Sequence, residues 1–153
     1  MQQISKHISW KEGTSSPSAI KLGIVNIPNA VQLTNMKLLA ENIFEPLRQW
    51  ANEPIKVNSF FRSEALNREI GGARNSQHMA LDGSAIDIDA TGSKTNADLF
   101  NYIRKNLKFD QLIWEFGNDK QPNWIHVSFR VGNNRGQVLK AVKVADKTKY
   151  LNF

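Results

Sequence analysis

The chain has 153 residues, 41% hydrophobic and 22% charged, with a formal net charge of +6. That length suits one domain with a real core and excludes two comfortable ones. The absence of cysteine excludes a disulfide framework and any thiolate metal site. No apolar run approaches the roughly 18 residues that span a bilayer. The first twenty residues hold Lys6, His7, Lys11 and Glu12 and no apolar h-region. The expectation is a chain without a signal peptide, made in the cytoplasm and not inserted in a membrane.

In chain order, residues 1–28 carry Thr14, Ser15, Ser16, Pro17 and Pro28 and read as irregular, with one short helix near 18–22. Asn29 is an N-cap for the longest helical pattern, Val31, Leu33, Met36, Leu39, Ala40, Ile43, Phe44 and Leu47, which Pro46 kinks or ends. Pro54 opens a strand-like run over 55–61. Ser63 caps a short helix over 64–70, stopped by Gly71 and Gly72. Residues 85–90 alternate apolar and acidic side chains, as a half-buried strand does. Thr95 or Asn96 caps a helix whose inner face is Leu99, Tyr102, Ile103 and Leu107. Strands over 111–116 and 124–130 follow, joined by a polar loop, 117–123. A last basic strand, 137–144, reads as a sheet edge guarded by lysines. The pattern predicts an α+β domain, an antiparallel sheet flanked by helices. It divides into an irregular segment 1–28, a core 29–130, and a basic strand and tail 131–153.

Basic residues are spread along the chain and gather only at Arg130, Arg135, Lys140, Lys143, Lys147 and Lys149. A basic surface serves solubility, or it attracts a polyanion such as an anionic wall, nucleic acid or a membrane surface. No nucleic-acid motif occurs, and aromatic and basic residues barely interleave.

Strand alternation sorts the polar residues by face. Over 111–116, Leu112, Trp114 and Phe116 form one face and Gln111, Ile113 and Glu115 the other. Over 124–130, Ile125, Val127 and Phe129 oppose Trp124, His126, Ser128 and Arg130. Ile86 and Ile88 point inward, leaving Asp87 and Asp89 on the polar side. One surface therefore collects a histidine and several carboxylates, and His78 lies just upstream. Two His and one acid form the ligand set of a catalytic zinc. Each residue also has a plainer role: His126 as a hydrogen-bonded histidine, the aspartates as a solvated strand face, Glu115 as partner to a lysine.

The run Ser76-Gln77-His78 followed by Gly83-Ser84-Ala85-Ile86-Asp87 resembles the Ser-x-His-x-x-Gly-x-Ala-x-Asp signature of zinc D-alanyl-D-alanine carboxypeptidases and L-alanyl-D-glutamate endopeptidases. Vancomycin-resistance dipeptidases and the hedgehog signalling domain share that fold. The run Trp124-Ile125-His126-Val127-Ser128 resembles the family's later zinc-ligand strand. The run Ser59-Phe60-Phe61-Arg62-Ser63 resembles the segment that carries its substrate-binding arginine. The resemblance covers about residues 30–130. It implies Zn2+ held by His78, Asp87 and His126, with Arg62 anchoring a peptide carboxylate or polarising the scissile carbonyl. Ser76, Gln77 and Ser128 would contact substrate or support the ligands.

Two features depart from the family pattern. Asp87 follows His78 by nine positions rather than seven, so 79–82 reads as a two-residue loop insertion. The Gly-x-Ala-x-Asp anchor favours Asp87 over Asp82 and Asp89 as ligand. Asn123 stands where many relatives carry an acid, three residues before the last His, and Asn cannot accept a proton. Glu115 is the substitute base, with Asp119 and Asp89 behind it.

The expected function is a zinc peptidase of peptidoglycan stem peptides, a monomer acting on the cell wall after release, as a phage-type lysin does. The alternative is a zinc-stabilised binding module of the same fold without turnover.

Overall fold

A computed structural model describes residues 2–153. The N-terminal segment is more ordered than its composition suggests. Strands β1 (Gln3–Ser5) and β2 (Ile8–Ser9) form a small antiparallel pair, followed by helices α1 (Trp10–Thr14) and α2 (Pro17–Leu22). Ser9 and Glu12 form a capping box on α1, and Ser16 caps α2 with Pro17 in its first turn. Ile4 and Ile8 are buried in the main core. This corrects the irregular reading of 1–28: two short strands are anchored by single isoleucines, too few to make a periodic signal.

Helix α3 (Ala30–Leu39) starts at Asn29, whose side chain accepts from Gln32 N–H while Gln32 returns the bond. It passes through a π-helical turn, Ala40–Phe44, into α4 (Glu45–Ala51). Pro46 lacks the N–H of a regular ladder and its ring crowds the carbonyl four residues back, so the preceding turn widens. Met36, Leu39, Ala40, Ile43, Phe44 and Leu47 are fully buried along one side. Val31, counted in the stripe from sequence, is exposed.

The main sheet holds β3 (Ile55–Ser59), β4 (Ser84–Ala90), β5 (Gln111–Glu115), β6 (Trp124–Phe129), β7 (Gln137–Val144) and β8 (Lys147–Asn152). Their order is β3-β4-β6-β5-β7-β8. All neighbours run antiparallel except β5 and β7, which are parallel. The sheet is thus mostly antiparallel, as expected for the α+β class. Two expectations at the C-terminus are corrected. β7 is an interior strand, and the edge is β8, a strand where a tail was read. The turn between them uses Ala145 and Asp146, both at positive φ, without the Asn-Gly or Asp-Gly that marks such a hairpin in sequence.

Helix α5 (Glu64–Glu69), capped by Ser63, follows β3, and helix α6 (Asn96–Asn106), with its Thr95–Asp98 capping box, follows β4. Helices α3 and α6 cover one face of the sheet, where Ile86, Ile88, Leu112, Trp114, Ile125 and Val127 are buried. Burying a side chain of that size stabilises by about 1.5–3 kcal/mol. The opposite face is left for polar residues. Among the described residues, no helix is long and apolar enough to cross a membrane.

Candidate metal centre

The antiparallel register of β4 and β6 sets Asp87 directly opposite His126. His126 Nδ1 lies 3.0 Å from Asp87 Oδ1. His78 arrives from a single 3-10 turn, Gln77–Met79, capped by the Ser76 hydroxyl, which accepts from His78 N–H at 3.3 Å. The Arg62 N–H donates to the His78 carbonyl at 2.9 Å. His78 Nδ1 bonds the Phe60 carbonyl oxygen at 2.8 Å. A carbonyl only accepts, so Nδ1 holds a proton whether the ring is charged or neutral, and the neutral ring offers its lone pair at Nε2. That Nε2 lies 3.3 Å from Asp87 Oδ2.

One donor atom from each of His78, Asp87 and His126 lies within 4.8 Å of the others. Ligands at about 2.0–2.2 Å in a tetrahedron stand about 3.3–3.6 Å apart, and the His78 and His126 nitrogens lie 3.3 and 3.0 Å from the two oxygens of Asp87. Burial would raise the Asp87 carboxyl, but the charge and hydrogen bonds of His78 and His126 outweigh it and hold it well below the usual range. An ionised carboxylate and two imidazoles fit zinc in a chain without thiolates.

The motif residues have local reasons. Gly83 has φ +75, and a Cβ there would strike the Phe129 carbonyl oxygen. Only glycine lets the chain enter β4 so close to the end of β6. The inserted 79–82 stretch is braced by α3: Gln32 Nε2 donates to the Met79 carbonyl at 3.1 Å and Asn35 Nδ2 to the Ala80 carbonyl at 2.8 Å.

Glu115 ends β5 opposite Trp124, on the same face as the triad and 7% exposed. Burial pushes its carboxyl up to about 7; His126 draws it down and Asp87 adds to the rise. Arg62 lines the same groove, with Nη1 donating to Asn67 Oδ1 at 3.1 Å. Burial lowers the pKa of its guanidinium, and the Asp87 charge opposes this. His78, Asp87, His126, Glu115 and Arg62 thus meet in one groove of about 1580 Å³.

The other candidate acids have partners of their own, although Asp82 also lines the groove. Asp89 accepts from Asn58 at 2.6 Å and Asn96 at 2.8 Å, Asp82 pairs with Arg130 at 2.9 Å, and Asp119 pairs with Lys140 at the surface. Gln77 turns its amide to Asp110 Oδ2 at 3.0 Å and the Asp82 carbonyl at 3.3 Å, bracing the His78 turn. Ser128 does not reach the groove. It is fully buried, and its hydroxyl accepts from Gln111 N–H at 3.0 Å. Phe116, assigned to the core face by alternation, instead lines the groove, because its φ of 56 breaks the strand after Glu115.

Sequence reading missed Asp110, a fully buried carboxylate. It receives Gln77, the Arg135 backbone N–H at 3.0 Å and two guanidinium bonds from Arg135 at 3.0 and 2.8 Å. A lone acid before a strand gives no signal of such a clamp.

No curated protein matches the chain. A family model described as Peptidase M15 matches residues 6–128, a span that runs from the first hairpin into the end of β6 and contains His78, Asp87 and His126. On that match, and with a His-Asp-His cluster of zinc spacing, the chain belongs to the M15 family of zinc peptidases.

Proposed function

We propose that this M15 peptidase hydrolyses peptidoglycan stem peptides, as a D,D-carboxypeptidase or an L-alanyl-D-glutamate-type endopeptidase acting at the cell wall. His78 through Nε2, Asp87 through its carboxylate and His126 through Nδ1 would hold the zinc. Bound there, zinc would supply Lewis acidity, polarising a carbonyl and easing deprotonation of water.

The chain's own residues do the rest. Glu115 takes the proton of the attacking water; a carboxyl near 7 is matched to such work at neutral pH. Arg62, one arm tied to Asn67, directs a fixed cation at a substrate carboxylate or at the developing oxyanion. The single observation carrying this reading is the buried Glu115 carboxyl on the triad's own sheet face. Arg62, Arg68, Arg74, Arg130 and Arg135 line the groove, and with the net charge of +6 they complement an anionic wall polymer.

The test is a digest of purified muropeptides by zinc-loaded wild type and Glu115→Gln, read by mass spectrometry. Wild type should cut one class of peptide bond, and the variant should be slower by about a hundredfold or more. A variant as active as wild type removes Glu115 from its role. Asn123, where an acid was expected, favours a second reading as a zinc-stabilised binding module. That reading predicts bound zinc and no products from wild type.

A further inference from the structure

The groove does not end at the metal ligands. Its volume of about 1580 Å³ exceeds the roughly 300–1,000 Å³ of ordinary small-ligand sites. Its far wall is the β7–β8 hairpin, beyond residue 128, where the family match stops. Sheet order sets Arg62 and the hairpin on opposite sides of the triad. Arg62 follows one edge strand, β3, and β8 is the other edge.

Register determines which hairpin residues face the ligands. Glu115 pairs with Ala141 and Ala141 with Tyr150, so the three form one row on one face. Ala141 is fully buried within that row, while Glu115 and Tyr150 on either side of it line the groove. Tyr150 is half-exposed, and partial desolvation with the charges of Glu115 and Asp87 raises its phenol above the ordinary value.

The next row pairs Lys143 with Thr148. Two residues along a strand and one strand spacing put the Lys143 Cα about 8 Å from that of Glu115, two to three residues of extended peptide. Lys143 Nζ lies 3.4 Å from Thr148 Oγ1 and 5.5 Å from the centroid of Phe116, whose ring packs on Trp124. Among the described residues, Lys143 has no carboxylate partner within 4.0 Å. The wall therefore offers an uncompensated cation, two hydroxyls and an aromatic shelf.

We propose that the β7–β8 hairpin is a binding subsite for a carboxylate-bearing stretch of extended peptide, with Lys143 as its specificity residue. The inference rests on the peptidase reading above. It makes the enzyme an endopeptidase, since chain is held on both sides of the scissile bond. Lys143 gives the carboxylate a charge-assisted hydrogen bond, while Phe116 and Trp124 take the apolar stems.

The test compares kcat/KM for purified stem peptides with free carboxylates against the same peptides amidated, in zinc-loaded wild type, Lys143→Ala and Lys143→Arg. The preference for free carboxylates should fall about tenfold in Lys143→Ala, through KM, and return in Lys143→Arg. An undiminished preference in Lys143→Ala overturns the subsite, and release of single terminal residues alone overturns the endopeptidase assignment. Failure of wild type to cut either peptide overturns the peptidase reading and the subsite with it, an outcome distinct from both.

Discussion

Replacing Glu115 by glutamine isolates the cost that the groove imposes on a buried carboxylate. In metal-free protein, burial moves that carboxyl from 4.5 to about 7. Between those values the folded protein keeps a proton that the unfolded chain has released. Stability therefore falls as pH rises through this window: the contribution is fully present below about 4.5 and lost above about 7. At about 1.4 kcal/mol per pH unit the full span bounds the effect at about 3.5 kcal/mol. The side chain meets groove water, and screening brings the expectation to about 2 kcal/mol. Urea denaturation with chelator, from about pH 4 to about pH 8, measures it for wild type and Glu115→Gln. The variant should gain about 2 kcal/mol on wild type across that range. Asp87, Asp110 and Glu45, whose carboxyls are held low, oppose this trend in both proteins and cancel in the difference. A difference that stays flat with pH refutes the claim that burial raises Glu115.

Zinc added to metal-free protein should raise Tm, by about 2.7 kcal/mol of stabilisation at a hundredfold excess over Kd, and His126→Ala should abolish the rise in a thermal-shift titration. Gly83→Ala forces a Cβ into the Phe129 carbonyl oxygen at a positive φ. It should cost about 2–4 kcal/mol in urea denaturation and weaken zinc binding, because Gly83 admits the strand that carries Asp87. Asp110→Ala strips the buried acceptor from Gln77 and Arg135. It should cost about 2–4 kcal/mol, less if the half-exposed Arg135 turns to solvent.

The face carrying Asp87 and His126 was legible because period-two alternation is strict where one side of a sheet is buried. Ile86 and Ile88 against Asp87, and Ile125 and Val127 against His126, identify the face without any knowledge of the partner strands. Alternation failed at Phe116, where the backbone leaves the strand, and no pattern of side chains announces a positive φ at phenylalanine. The parallel pairing of β5 with β7 joins strands distant in sequence. β8 is solvent-exposed along its length, so Lys147 to Asn152 show no apolar side to read. His78 was found through its motif neighbours, since a single 3-10 turn has no period. The bond from its Nδ1 to Phe60 needs a contact between residues 18 apart, and only the fold supplies it.

Product formation from muropeptides as a function of added zinc tests the central claim most directly. Activity should be absent in chelated protein, rise to a plateau at one zinc per chain, and be missing at every zinc level in Asp87→Asn. Hydrolysis by metal-free protein at the wild-type rate, or no hydrolysis at saturating zinc, would contradict the account.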